Sequence, residues 1–132
     1  MSPRLNSLDH LVLTVADIPA TLAFYSHVLG MTHTGFTAAD GSARHALFFG
    51  DMKINLHQQG AEFEPKARNV QTGSADLCFL SDTSLDEWKT HLTDQAIQIE
   101  TGPVRRTGAT GPINSLYVRD PDGNLIEISV LA

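Results

Sequence analysis

The sequence has few of the features that mark disulfide-bonded or nucleic-acid-binding proteins. Its single cysteine, Cys78, excludes an internal disulfide bond and a cysteine-rich zinc site. Because Cys78 lies in an apolar stretch, we expect an inert, buried thiol. The nine Lys and Arg residues are scattered and are outnumbered by fifteen Asp and Glu, which gives a net charge of −6. A basic face for binding nucleic-acid phosphates is therefore not expected.

Long apolar runs are also missing. The longest, such as 11–16 and 46–50, are far shorter than the roughly 20 residues that span a bilayer, and 1–10 contains no apolar signal core. These absences predict a cytoplasmic protein with neither a membrane nor a nucleic-acid partner. The sequence also contains no glycine-rich nucleotide loop and no serine nucleophile elbow.

What the chain does have is an internal repeat. Each half opens with a strand and a helix and closes with a pair of strands, and His10 and Asp76 hold matching places 66 residues apart in a chain of 132. The pattern predicts an α+β fold made of two βαβββ modules. We expect one domain over 1–132, with module one at about 5–60, a linker at about 60–73 and module two at about 74–132.

Alternation of apolar side chains and turn residues sets the predicted elements. A first helix is predicted to begin at the cap Asp17 and end at Gly30, and a second covers 85–92. A loop is predicted at 103–112. The predicted strands are 8–15, 31–38, 43–49, 53–58, 76–80, 97–102, 113–119 and 125–131.

The candidate chemistry begins with His10 on the first strand and Glu127 on the last. Glu127 lies between Ile126 and Ile128, so apolar residues flank a lone carboxylate. A buried carboxylate is costly unless a cation or hydrogen-bond donors compensate it, and a metal ion shared with His10 would do so. The competing interpretation is a glutamate on an exposed strand face whose neighbours point the other way.

The repeat adds three candidates. Asp76 occupies the place of His10, and Asn55 occupies the place of Glu127, while His57 shares the face of Asn55 two residues further on. Imidazole and carboxylate side chains together suit Zn²⁺, Mn²⁺, Fe²⁺, Co²⁺ or Ni²⁺. Each residue taken alone is also consistent with a structural role.

Other polar residues are candidates for substrate binding. Arg105 and Arg106, in the predicted loop, could clamp an anionic substrate or form a solvated pair. Tyr117 is either a core residue or a proton donor. His33 and His45 lie on predicted strands and could face a cavity, although a structural role is favoured for each.

Three stretches resemble the vicinal oxygen chelate superfamily: LDHLVLTVAD, FYSHVLGM and YVRDPDGNLIEIS. This superfamily includes glyoxalase I, fosfomycin-resistance transferases, bleomycin-resistance proteins, methylmalonyl-CoA epimerase and extradiol dioxygenases. The resemblance covers nearly the whole chain and is greatest to small glyoxalase-domain proteins. It implies paired βαβββ modules in a cup-shaped sheet, often completed as a homodimer.

The resemblance also implies where a metal would bind. His10 and Glu127 match the strongest ligand positions of the superfamily. Asp76 stands where a histidine is common, and Asn55 stands where a Glu, Gln or His is common. The implied ligands are His10, Asp76 and Glu127, with water or His57 in the fourth place, and Asn55 is then left to contact the substrate.

Two functions are consistent with the resemblance. The first is a glyoxalase-like lyase or isomerase in which a divalent ion (Zn, Ni, Mn or Fe) chelates adjacent oxygens of a small substrate and stabilises an enediolate, with Glu127 or Asp76 moving the proton. The second is a metal-free protein of the bleomycin-resistance type that binds a drug or antibiotic. The departures at Asn55 and Asp76 are the features that favour the second function.

Overall fold

The computed structural model describes residues 2–132. The chain forms two compact units that divide between Gln71 and Thr72, inside the connection predicted at 60–73. Each unit contains one four-stranded mixed sheet and little helix. The predicted α+β class and the two βαβββ modules are confirmed. That the modules together make one domain stays a prediction.

Module one begins with strand β1 (His10–Val15) and helix α1 (Ile18–Ala23), which continues as one turn of π-helix (Phe24–Val28). Three antiparallel strands follow: β2 (Thr32–Thr37), β3 (Ala43–Phe49) and β4 (Met52–Gln58). Strand β1 lies parallel to β4, so the sheet order is β1-β4-β3-β2.

The start of the first helix follows from its sequence. Asp17 has extended backbone geometry, and its side chain accepts a hydrogen bond of 3.0 Å from the Ala20 amide. Pro19 occupies the first turn, where its missing amide hydrogen leaves no bond unmade. The helix and its π-turn contribute Phe24 and Tyr25 to the core of module one, as the predicted apolar stripe requires.

Module two has the same order of elements. Strand β5 (Asp76–Leu80) precedes helix α2 (Leu85–Asp94), which Ser84 caps through its hydroxyl. The remaining strands are β6 (Thr101–Thr107), β7 (Pro112–Arg119) and β8 (Leu125–Leu131), and the sheet order is β5-β8-β7-β6.

The prediction for 97–112 was wrong. The strand predicted at 97–102 begins only at Thr101 and runs to Thr107, so Arg105 and Arg106 lie on β6 instead of in a loop. Gly102 and Pro103 suggested a break, but β6 is the edge strand of its sheet, where a proline is tolerated. Its pairing with β7 shifts register between Thr101 and Val104 and then continues regularly.

Among residues 2–132, no helix combines the length and apolar character needed to cross a bilayer.

Candidate functional site

The strand registers show how the two modules correspond. In module one, His10 lies opposite Lys53, and Val12 lies opposite Asn55. In module two, Asp76 lies opposite Leu125, and Cys78 lies opposite Glu127. Asp76 therefore does hold the place of His10, and Glu127 does hold the place of Asn55. In each module, the polar residue of the last strand lies two positions beyond the partner of the polar residue on the first strand. The two polar side chains therefore point to the same face of the sheet.

In module two, hydroxyl groups fix the Glu127 carboxylate. Its Oε2 accepts a hydrogen bond of 2.6 Å from the Ser115 hydroxyl and a longer one of 3.4 Å from Ser129. The two serine hydroxyls are 2.7 Å apart, and both residues are fully buried. Both of these bonds use Oε2. Neither serine was predicted to lie at the site, although Ser129 follows Glu127 by two residues and so shares its face.

Cys78 belongs to the same group of side chains. Its Sγ lies 3.3 Å from the Ser129 hydroxyl, and the residue is exposed, so the predicted burial was wrong. The reason is strand alternation, which places Cys78 on the face of Asp76 and Leu80. Partial burial of the thiol, followed by the nearby Glu127 carboxylate, raises its pKa above the ordinary value. The neutral thiol is therefore favoured, and a nucleophilic role is not supported.

A cavity of about 400 Å³ opens on this face of module two. Glu127 and Arg106 are the two charged residues in its lining. Arg106 Nε donates a hydrogen bond of 3.0 Å to the Tyr117 hydroxyl, and Tyr117 lies directly opposite Glu127. The remaining lining residues are small or apolar: Cys78, Leu80, Thr107, Gly108, Ala109, Thr110, Ile113 and Leu131.

The structure separates the two adjacent arginines. Arg106 lies opposite Ile113 and faces the cavity, whereas Arg105 lies opposite Asn114 on the other face of the sheet. Of the predicted substrate-binding pair, therefore, only Arg106 lines this cavity.

Asp76 is exposed at the start of β5, where its charge acts on Arg119. Arg119 makes two hydrogen bonds of 3.1 Å to the Glu100 carboxylate. These bonds lower the pKa of Glu100. They also raise the pKa of Arg119, to which the Asp76 charge makes a smaller contribution. The carboxylate of Asp76 is therefore solvated and partly balanced by a cation.

In module one, His10 and Asn55 differ in their surroundings. His10 is exposed, and its Nδ1 lies 2.8 Å from the Asp9 carboxylate. An acid bonded to one ring nitrogen orients the imidazole and leaves the other nitrogen available, as in many metal-bound histidines. Asn55 Oδ1, by contrast, is buried without a hydrogen-bond partner. An unpaired buried oxygen is costly, so Asn55 suits a position that a cation or a donor fills.

His57 lies among cations. Its ring meets the Phe63 ring edge-on at 5.3 Å, and the Arg44 guanidinium stacks 3.4 Å above the centre of Phe63. Burial, then Arg44, lowers the pKa of His57, while Glu62 acts in the opposite direction. The neutral ring leaves Nδ1 buried without a partner. Because nearby cations repel a metal ion, His57 has the least suitable surroundings of the predicted metal ligands.

These contacts also explain the length of the segment at 60–71. It folds back over the β1–β4 face of its own module, and Phe63 packs between His57 and Arg44. A second cavity of about 400 Å³ lies under it. Its lining consists of Val12, Thr14, His57, Pro65, Lys66, Ala67 and Val70.

The chemistry of the donors fits a divalent ion. The set contains one imidazole (His10), two carboxylates (Asp76 and Glu127) and one amide oxygen without a partner (Asn55). Oxygen-rich sets with an imidazole suit Mn²⁺, Fe²⁺ or Zn²⁺. Within residues 2–132, however, no three His, Cys, Asp or Glu side chains lie close enough together to hold an ion.

A polar face on each of two βαβββ modules defines the class of protein to which this chain belongs. A family model, the Glyoxalase/Bleomycin resistance protein/Dioxygenase superfamily, matches residues 7–128. The chain belongs to this superfamily.

Individual relatives support the assignment. The chain is 54% identical over 125 residues to virulence protein STM3117 of Salmonella typhimurium, covering 95% of this chain and 84% of that protein. Its structure is similar to that of the integron cassette protein VCH_CASS1 from the mobile metagenome of V. cholerae, with a TM-score of 0.93, 58% identity and full coverage of both chains. A lactoylglutathione lyase from Agrobacterium tumefaciens is 26% identical with a TM-score of 0.70, covering 96% of this chain and 95% of that one.

Proposed function

We propose that the protein is a glyoxalase-like, metal-dependent lyase or isomerase that acts on a small substrate with two adjacent oxygens. The observation that carries this proposal is the setting of Glu127. A half-buried carboxylate, held through one oxygen by Ser115, lines a cavity beside Arg106. Fixing one oxygen orients the group and leaves the other to bind an ion or to take a proton.

The ligands we propose are His10, Asp76 and Glu127, with His57 or water in the fourth place. Asn55 is assigned to substrate binding, because its Oδ1 is buried without a hydrogen-bond partner. A bound divalent ion would supply Lewis-acid polarisation of the substrate oxygens. Support for this chemistry comes from the donor set and from the similarity to the lactoylglutathione lyase.

The chain's own residues then have separate tasks. Glu127, or Asp76 as the second candidate, removes a proton from the carbon next to the substrate carbonyl and returns it to the neighbouring carbon. Arg106 binds and orients an anionic group of the substrate, because its guanidinium lines the cavity and is fixed by Tyr117. The apolar walls at Leu80 and Ile113 limit the access of water. We place this activity in the cytoplasm and in a homodimer.

The test is the metal content of the purified protein, measured by elemental mass spectrometry after chelation and reloading with Ni²⁺, Mn²⁺, Zn²⁺ or Fe²⁺. We expect Glu127→Gln to lose the ion while its circular dichroism is unchanged, because the change removes a charge and keeps the shape. Glu87→Gln, an exposed change on α2, is the matched control and should keep it. Equal metal content in both variants would refute the ligand assignment.

Activity is tested with the loaded protein. Small 2-oxoaldehydes, with and without an added thiol, and small hydroxyketones are incubated in D₂O, and deuterium incorporation next to the carbonyl is followed by NMR. Exchange that depends on both the ion and Glu127 supports the lyase or isomerase function. A loaded protein that exchanges none of these substrates contradicts it.

The second candidate function is metal-free binding of a small molecule such as a drug or antibiotic. The observation that favours it is the lining of the module two cavity, which is mainly apolar and small except for Arg106 and Glu127. Such a pocket can bind a ligand without chemistry. A thermal shift with a compound in the absence of any ion, reduced in Glu127→Gln, would support this function over the first.

A further inference from the structure

Two histidine rings meet on strands β2 and β3 of module one. His33 Nε2 lies 3.1 Å from His45 Nδ1, the ring centroids are 5.3 Å apart and the planes are tilted by 30°. His33 lies opposite Leu47, which is fully buried in the core. Asn55 lies opposite the residue just before Leu47, and neighbouring residues of a strand point to opposite faces, so the histidine pair is on the other face of the sheet from Asn55. Both rings were candidates to face a cavity; instead, they face each other.

The spacing of the two nitrogens is close to that of two ligands on one ion. Imidazole nitrogens that each lie about 2.0–2.1 Å from a tetrahedral zinc ion are about 3.3 Å apart. The observed 3.1 Å therefore requires a shift of only a few tenths of an ångström. In the neutral pair one N–H bridges the two nitrogens; moving that proton to the other nitrogen of its own ring leaves a lone pair on each.

The residue beside the two nitrogens is a glycine. Gly35 lies opposite His45, and a Cβ at that position would be 3.8 Å from each of the two nitrogens. Because glycine has no side chain, the space beside both is left for an ion and its waters. The pair is exposed, so an ion can bind there without losing all of its hydration.

We propose that His33 and His45 form a metal site, distinct from the one proposed at Glu127, that binds a divalent ion of the zinc, nickel and copper class. The ligand atoms are His33 Nε2 and His45 Nδ1, and water completes the coordination. Strand β2 is the edge strand of its sheet, and all six of its residues are exposed. An ion shared with β3 therefore ties this edge strand to the sheet.

The probe is Zn²⁺, titrated at pH 7.5 into protein labelled with ¹⁵N at histidine and followed by imidazole NMR. We expect His33 Nε2 and His45 Nδ1 to shift together, with saturation at micromolar Zn²⁺. His33→Gln and His45→Gln should each lower the affinity at this site by about tenfold or more, because the second ligand then no longer comes from the same molecule.

Two controls separate this site from the others. His27→Gln, a change of an exposed histidine on the π-turn, and Glu127→Gln should both leave the shifts of His33 and His45 unchanged. The proposal is overturned if these shifts need millimolar Zn²⁺, if only one ring responds, or if His33→Gln or His45→Gln keeps the wild-type affinity. The wild-type protein gives an independent test: because protons and metal ions compete for an imidazole nitrogen, the affinity for Zn²⁺ should fall as the pH is lowered from 7.5, and an affinity that does not fall would contradict the assignment.

Discussion

Replacement of Asn124 by alanine should destabilise module two strongly, although Asn124 touches neither cavity. Asn124 is 2% exposed and lies in the turn between β7 and β8. Its Oδ1 accepts a hydrogen bond of 2.9 Å from the Ala75 amide, just before β5. Its Nδ2 donates a bond of 2.8 Å to Asp120 Oδ2. One side chain thus links the turn to the start of the first strand of the module.

The magnitude follows from the two bonds. A hydrogen bond to a charged group contributes about 1.5–3 kcal/mol, and a buried amide left without an acceptor costs about 1–3 kcal/mol. We therefore expect Asn124→Ala to lower the free energy of unfolding by roughly 3 kcal/mol, a large share of the roughly 5–15 kcal/mol typical of a domain. Asp120 keeps its bonds from the Asp122 and Asn124 amides, so the turn is weakened without being abolished.

The assay is urea denaturation followed by the fluorescence of Trp88, the single tryptophan, which lies in the same module. Asn69→Ala, at an exposed position in module one, is the matched control and should change the unfolding free energy by less than about 0.5 kcal/mol. A loss below about 1 kcal/mol for Asn124→Ala would refute the reasoning.

Asn124→Asp tests the same contact by charge. A carboxylate at position 124 would face the Asp120 carboxylate in a buried turn and has no N–H to donate to it. The variant should therefore lose at least as much unfolding free energy as Asn124→Ala in the same urea assay. A smaller loss than that of Asn124→Ala would contradict this account.

Two further predictions concern backbone strain and an ion pair. Gly30 and Gly73 both have positive φ, but a Cβ at Gly30 meets open space whereas one at Gly73 would lie 2.5 Å from the Asp122 carbonyl oxygen. Gly30→Ala should cost about 1–2 kcal/mol in urea denaturation, and Gly73→Ala clearly more; equal losses would contradict the contact. Arg119 lowers the pKa of Glu100, so this pair contributes stability above the ordinary glutamate pKa and loses it as the pH falls through the folded value. In Glu100→Gln, the urea concentration at the unfolding midpoint should therefore fall less steeply as the pH is lowered. A fall as steep as that of Glu87→Gln would show that the ion pair contributes nothing.

Local patterns in the sequence were sufficient for the elements whose signals are local. Strands β3, β5 and β8 have the predicted bounds, since each is an apolar run ended by turn residues. Strand β6 was misplaced because Gly102 and Pro103 break a local pattern, whereas pairing with β7 decides the outcome. The interactions between side chains were harder to predict from the sequence. That Ser115 holds Glu127, or that Phe63 covers His57, depends on strand register and on the path of a long connection.

The RDPDGN stretch shows what a family resemblance reports. Asp120 accepts bonds from the Asp122 and Asn124 amides, and Asn124 anchors β5, so this part of the resemblance is accounted for by the turn. Glu127, three residues on, is the part on which the proposed chemistry depends. A resemblance carried by a turn predicts the fold well and the activity poorly, because the turn is needed whatever the cavity binds.

The two modules keep the same register while their chemistry differs. Ser129 lies opposite Leu80 in module two, and His57 lies opposite Thr14 at the corresponding place in module one. The hydroxyl group that bonds to Glu127 in module two is therefore replaced by an imidazole in module one. Tyr117 lies opposite Glu127, whereas the small Ala46 lies opposite Asn55. Module two therefore concentrates hydroxyl donors around a carboxylate, whereas the corresponding amide of module one lies opposite the apolar Val12 and Ala46. This difference is consistent with the proposal that Glu127 moves a proton and that Asn55 only binds, since a carboxylate can accept a proton and an amide is not basic at neutral pH.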